Sequence, residues 1–224
     1  EMRLGQQFTA FNQSPTDSFD SFVTQSPFMK RVVHEAKRIA DLDAPILIFG
    51  ETGTGKEMIA RACHQSSRRS EGAFLALNCA SLPDSVAETE LFGYAAGAFN
   101  QPNAKVGLLE QAKGGTLLLD EIADMSSQLQ AKLLRVLEDG EFRRVGDSEP
   151  VKVDVRFICT TCRDLGQLVE EGRFRKELYY RLNVLSLVMP SLKDRRQDIV
   201  PLAESFIVQH STKLGRRPAK LSKS

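Results

Sequence analysis

The run Gly50-Glu51-Thr52-Gly53-Thr54-Gly55-Lys56 has the residue types and spacing to hold a polyphosphate. Its glycines let the backbone curl so that successive N–H groups point inward, and a helix opening at the lysine adds positive potential at its N-terminus. Lys56 supplies a point charge for β- and γ-phosphates. A second pair, Asp120-Glu121, follows the apolar run Thr116-Leu117-Leu118-Leu119. Asp120 suits the shell of a Mg²⁺ ion, and Glu121 suits a base that polarises water for in-line attack on a γ-phosphate. Two acids after a strand are by themselves more often solvated than catalytic; beside a phosphate loop they acquire a role. The residue after the lysine is Glu57, not Ser or Thr, so the usual hydroxyl ligand to Mg²⁺ is missing and water or another residue must replace it.

Two further candidates are weaker. Thr161 ends the run Phe157-Ile158-Cys159-Thr160-Thr161 and could sense a γ-phosphate by hydrogen bonding, if this strand lies beside the one preceding Gly50; an ordinary strand-end threonine fits equally well. Arg175 and Arg181 share one short helical stretch whose spacing does not aim both at their own phosphate loop. Arginine supplied in trans is worth roughly 10³–10⁵ in rate, but spacing alone favours a surface helix with solvated charges.

These residues need a sheet to position them. Strand candidates are 46–49, 74–77, 116–119, 153–160 and 184–188; helices are expected near 56–65, 84–92, 126–138, 165–171 and 175–181. Pro27 opens an amphipathic helix through Ala40, with Met29, Val32, Val33, Ala36 and Ile39 on one face, and a last helix spans about 198–214. Such alternation predicts an α/β domain: a five-stranded parallel sheet sandwiched by helices. A hairpin is expected between Arg143 and Val153. Residues 1–21 read as a polar linker or arm, 22–214 as the globular unit, and 215–224 as the start of a connection to further domains.

The chain has 224 residues, 42% hydrophobic and 26% charged, with a net charge of +1. Interspersed acids and bases argue against a large basic nucleic-acid face. No apolar run is long enough to cross a bilayer. Cys63, Cys79, Cys159 and Cys162 show no disulfide framework, so a reducing cytoplasm is expected; Cys159 and Cys162 fit C-x-x-C but end a β-branched run, which disfavours metal or redox use. His34, His64 and His210 read as surface or packing residues. Phe99, on a glycine-flanked loop, suits a partner contact. The opening Glu1-Met2-Arg3-Leu4 looks like an excised fragment.

Together the motifs resemble the central AAA+ domain of bacterial enhancer-binding transcription regulators of the sigma-54 activator type, over about 22–207. The resemblance is carried by Gly50 to Glu57 (the Walker A loop, with Glu after Lys), Leu75-Ala76-Leu77-Asn78-Cys79-Ala80, Glu90-Leu91-Phe92-Gly93 and Gly114 to Glu121 (the Walker B strand). It continues through Gln130 to Leu137, Phe142 to Gly146, and Phe174 to Val184. It implies ATP with Mg²⁺ as cofactors. It implies that Asn78 restrains Glu121 until the γ-phosphate is sensed, that Val23 and Thr24 lie near the adenine, and that Arg175 and Arg181 act in trans within a ring, a hexamer. RNA polymerase, and DNA through a C-terminal helix-turn-helix beyond this chain, would be the partners.

Three departures from the family pattern stand out. The sigma-contacting loop, Gly-Ala-Phe-Thr-Gly-Ala in the family, is Gly97-Ala98-Phe99-Asn100-Gln101-Pro102 here. Cys162 stands where the family usually has Asn, and a thiol replaces an amide's hydrogen bonds poorly. The helical lid with its second sensor lies outside the sequence, which implies weak nucleotide affinity and low turnover. The altered loop, with Arg3-Leu4-Gly5-Gln6-Gln7-Phe8 and Cys63-His64-Gln65, resembles the TyrR/PhhR subgroup. Those regulators of aromatic amino-acid metabolism work with the housekeeping polymerase, and their effector would bind mainly through another domain.

Overall fold

The structure is a computed structural model and describes residues 18–98 and 102–221. Phe99, Asn100, Gln101 and the stretch Arg3 to Phe8 lie outside the described residues. Five strands, β1 (Ile46–Phe49), β2 (Phe74–Asn78), β3 (Thr116–Asp120), β6 (Arg156–Thr161) and β7 (Leu185–Val188), form one sheet in the order β2-β3-β6-β1-β7. Every pairing in it is parallel. The expected α/β class is therefore observed, and the strand of Thr161 does lie beside the strand that enters the phosphate loop.

Alternation divides the strand side chains between two cores, as a pleat of period two requires. Leu117, Leu119, Leu47 and Cys159 pack with α3 (Asp84–Phe92), α5 (Ser127–Asp139) and α7 (Lys176–Leu182) through Leu91, Leu133 and Leu178. Leu118, Ile46, Ile48 and Ile158 pack on the other face with α1 (Pro27–Ile39) and α2 (Lys56–Gln65) through Met29, Ala36 and Ile59. A strand covered on both faces must be apolar throughout, which explains the unbroken Leu117-Leu118-Leu119. Helix α1 starts where the sequence expects it, with Pro27 at its first position and the Ser26 hydroxyl accepting from the Met29 N–H.

Several boundaries differ from expectation. The apolar run at 153–160 is split: the Val153 N–H closes on the Gly140 carbonyl and continues the hairpin, so β6 begins only at Arg156. That hairpin, β4 (Glu141–Arg143) with β5 (Pro150–Lys152), starts slightly earlier than predicted. The core already includes Phe19, ahead of Phe22. Short α4 (Leu108–Gln111) precedes β3, and α6 (Leu165–Glu170) follows β6. A 3-10 segment, Leu192–Asp198, precedes α8 (Ile199–Lys213); Asp198, expected to begin that helix, is fully buried before it.

Register decides which chemistry meets. Asn78 pairs with Asp120, Leu119 with Cys159 and Phe49 with Thr161. The carboxyl ends of β1, β2, β3 and β6 therefore share one sheet edge, where open α/β sheets collect ligands.

Candidate nucleotide site

The phosphate loop is a cradle of the required shape. Gly53 and Gly55 have φ of 80° and 98°, a left-handed backbone that favours glycine, and a Cβ at Gly53 would meet no atom within 4 Å, so the loop borders open space there. Helix α2 starts at Lys56 directly after this turn, which aims its N-terminal N–H groups at the same place. The Thr54 hydroxyl donates to the Glu51 carbonyl at 2.7 Å and closes the loop on itself. Glu51 and Thr52 are exposed on its rim.

Lys56 is only 7% exposed, and its ammonium faces three acceptors: the Gly50 carbonyl at 2.9 Å, the Glu51 carbonyl at 3.4 Å and Glu121 Oε1 at 3.1 Å. Glu57 turns the other way and pairs with Arg61 at 2.6 Å, one turn along α2. It takes no part in the acid cluster, and the hydroxyl missing after Lys56 is not replaced from that position.

Opposite the loop, the two acids are held by separate partners. The Asn78 amide donates to Asp120 Oδ2 at 2.8 Å, and the Thr160 hydroxyl to Asp120 Oδ1 at 2.5 Å. Glu121 Oε2 accepts from the Cys162 N–H at 3.0 Å while Oε1 faces Lys56. Burial acts to raise the Glu121 carboxyl, but the Cys162 N–H and the Lys56 ammonium outweigh it, so its pKa lies below the ordinary 4.5. At neutral pH it is a carboxylate, able to accept a proton but not to donate one. The Cys162 thiol is raised, first by burial and then by the Glu121 carboxylate; Cys79, buried behind the acids, is pushed up to about 12 by burial, with Asp120 adding to it. Among the described residues no group of three or more His, Cys, Asp or Glu side chains gathers as metal ligands.

Three expectations take a different form. Asn78, expected to restrain Glu121, holds Asp120 instead, because the register sets those two side by side. Thr161 is buried, and its hydroxyl both accepts from the Arg163 N–H at 3.0 Å and donates to the Arg163 carbonyl at 3.1 Å, so it closes the turn after β6 rather than facing the loop. Its neighbour Thr160 is the hydroxyl that meets the acids. Thr24 sits ahead of α1 as expected, but its hydroxyl is committed to Asp198 Oδ2 at 2.7 Å; Val23 beside it is partly exposed.

Asp198 and Arg195 were not legible as site residues. Asp198 also accepts from the Gln25 and Ser26 N–H groups at 2.6 and 2.9 Å. Arg195 Nη2 donates to the Thr54 carbonyl at 2.8 Å, and among the described residues its buried Nε has no hydrogen-bond partner. Lys193 adds an exposed pair with Glu51 at 2.8 Å. Among the described residues the side-chain polar contacts of Arg175 and Arg181 are on α5, the Ser127 carbonyl for Arg175 and Glu138 at 3.9 Å for Arg181, and the Arg175 N–H donates to Gln130 of the same helix. His64 is a packing residue, bonded to Thr116 Oγ1 at 2.9 Å with its ring against Phe74.

A parallel sheet with a glycine cradle, a lysine and paired acids at its carboxyl edge defines a P-loop NTPase fold of the AAA+ kind. Residues 22–188 match the family described as the Sigma-54 interaction domain, and the chain belongs to that family. It is 52% identical over 223 residues to the HTH-type transcriptional regulatory protein TyrR of Enterobacter agglomerans, covering 98% of this chain and 42% of that protein. It is 51% identical over 191 residues to the regulatory protein AtoC of Escherichia coli K12, covering 85% and 41%. The crystal structure of NtrX from Brucella abortus in complex with ATP superposes with a TM-score of 0.85 at 41% identity, over 91% of this chain and 44% of that one. The chain thus spans about two fifths of the length of these relatives. Among the described residues no helix is long and apolar enough to cross a membrane.

Proposed function

We propose that this chain is the ATP-binding and ATP-hydrolysing central domain of a bacterial, cytoplasmic transcription regulator of the TyrR/PhhR kind, controlling aromatic amino-acid metabolism. The observation that carries the chemistry is the meeting of Lys56, Asp120 and Glu121 opposite the Gly53–Gly55 cradle. Lys56 and the N–H groups at the start of α2 would bind the β- and γ-phosphates, with Val23 and Thr24 near the adenine. Glu121, an ionised carboxylate, would orient and polarise the attacking water. ATP as the nucleotide is supported by the NtrX structure solved with it.

Asp120 offers hard oxygen donors at the phosphate edge, which fits Mg²⁺ held by one carboxylate, water and phosphate oxygens. When bound, that ion would neutralise charge on the transferring phosphoryl group. Asn78 would keep Asp120 aligned for it, and Thr161 would set the turn that presents the Cys162 N–H to Glu121. Arg175 and Arg181, whose side-chain polar contacts among the described residues lie on α5 and not on the phosphate loop, suit supply in trans, hence nucleotide-driven assembly of copies into a ring, a hexamer. The intact regulator would act with the housekeeping RNA polymerase, bind DNA through a helix-turn-helix beyond this chain, and sense an aromatic amino acid mainly through another domain.

A second reading is a remodeller of sigma-54 polymerase, which the family match favours. It requires the loop 97–102 to grip a sigma factor, and Asn100, Gln101 and Pro102 depart from the family's Thr-Gly-Ala. Calorimetric titration of ATP–Mg²⁺ tests what both readings share. The wild type should give a saturable isotherm and Lys56→Ala at least about tenfold weaker binding, the loss expected for one charge-assisted contact. Equal binding by the two proteins would refute the assignment.

A further inference from the structure

We infer that Thr160 is a positioning residue for the nucleotide reaction, acting through both acids at once; the inference rests on the ATPase reading above. Its side chain is fully buried, and its oxygen sits between two groups: it accepts from the Glu121 N–H at 3.2 Å and donates its proton to Asp120 Oδ1 at 2.5 Å. The hydroxyl has one proton, and the Glu121 amide can only donate, so the direction of both bonds is fixed.

The geometry on either side explains what this bridge achieves. Glu121 has φ 52° and ψ 53°, and among the described residues it is the one non-glycine with positive φ. A residue with a side chain is strained in that region and stays there only where its surroundings hold it. Three anchors hold it: the Thr160 hydroxyl on its N–H, Lys56 on one carboxylate oxygen and the Cys162 N–H on the other. In the left-handed turn the Glu121 carboxylate departs from the strand direction and reaches Lys56. Thr160 also shares the Asp120 carboxylate with Asn78, one oxygen each, which fixes the plane in which Asp120 can meet a metal shell. Neither neighbour on β6 can substitute: Cys159 is buried in the core, and the Thr161 hydroxyl is committed to Arg163.

Thr160→Val keeps the shape and removes the hydroxyl; Thr160→Ser keeps the hydroxyl and removes the methyl. Two quantities are read on folded protein. The first is turnover against KM for ATP. The second is the ratio of fluorescent-ATP Kd in EDTA to that in Mg²⁺, which needs no hydrolysis. For Thr160→Val we expect kcat to fall about 10- to 100-fold, as for a slightly misplaced catalytic group, with KM within about threefold. The Mg²⁺ ratio should fall toward one while Kd in EDTA is unchanged. Thr160→Ser should restore both. A Thr160→Val protein with wild-type turnover and Mg²⁺ ratio overturns the inference. So does a Thr160→Ser protein as impaired as the valine variant, since packing rather than the hydroxyl would then matter. If the wild type binds nucleotide without turning it over, the Mg²⁺ ratio alone decides. If the wild type binds no nucleotide, the ATPase reading itself fails and this inference with it.

Discussion

The phosphate loop is gripped from two sides by different kinds of polar network. On the acid side, Lys56, Glu121, Asp120, Asn78 and Thr160 each meet a partner, yet Asn78 and Glu121 keep part of their surface open and Lys56 and Glu121 hold each other in a pair a phosphate could enter. On the other side, Asp198 is fully buried and binds Thr24, Gln25 and Ser26, while Arg195 pins the Thr54 carbonyl. The first network is made of exchangeable contacts between strand ends. The second ties the turn before α1, the phosphate loop and the segment before α8 into one body. Chemistry and rigidity are thus assigned to opposite faces of one loop, and the two should be separable by mutation.

The largest expected effect is on the acid side. Glu121→Gln removes the base while keeping shape, and should lower kcat about 10²–10⁴-fold, or roughly 3–5.5 kcal/mol of barrier. Nucleotide affinity should stay equal or tighten, because Lys56 loses the carboxylate that competes with phosphate for it. Steady-state hydrolysis beside a binding titration checks both halves. A variant that binds poorly but turns over normally would break the division between the two faces.

The rear network should respond in stability rather than chemistry. Burial acts to raise the Asp198 carboxyl, but the Thr24 hydroxyl and the Gln25 and Ser26 N–H groups prevail, so it lies below the ordinary 3.8. A group depressed on folding stabilises fully above its unfolded value and loses that contribution as pH falls through the lower folded value. Asp198→Asn keeps one oxygen for the Gln25 and Ser26 N–H groups but removes the charge and sets an NH₂ against the Thr24 hydroxyl that now donates to Oδ2, and should cost about 2 kcal/mol at pH 7. The gap in unfolding free energy between wild type and variant, from denaturant titrations, should shrink as pH drops below 3.8. A gap independent of pH would mean that the charge of Asp198 contributes nothing.

The two sides also differ in how far they could be read from sequence. Gly50 to Lys56 and Asp120-Glu121 are local motifs whose spacing carries their geometry, and strand alternation placed them at one edge. Thr160 was not separable from Thr161, because which of two adjacent strand residues faces the acids depends on sheet register, and a shift of one residue exchanges the faces. Asn78 presents the same case: its partner is set by pairing with Asp120 rather than by its own neighbours. Arg195 and Asp198 act on residues 141 and 174 positions away, in a 3-10 segment with no hydrophobic period to mark it. Position 153 looked like strand because Val153 and Val155 are β-branched, but the hairpin claims the first of them.

Nucleotide binding in this site requires Lys56 to exchange Glu121 for phosphate while Asp120 faces the metal. A crystal structure grown with a non-hydrolysable ATP analogue and Mg²⁺ tests this most directly. It should show the β- and γ-phosphates against Lys56 and the N–H groups at the start of α2, with Glu121 released from the lysine and Asp120 in the Mg²⁺ shell. A structure in which the analogue binds elsewhere, and the Lys56–Glu121 pair persists at saturating nucleotide, would contradict it.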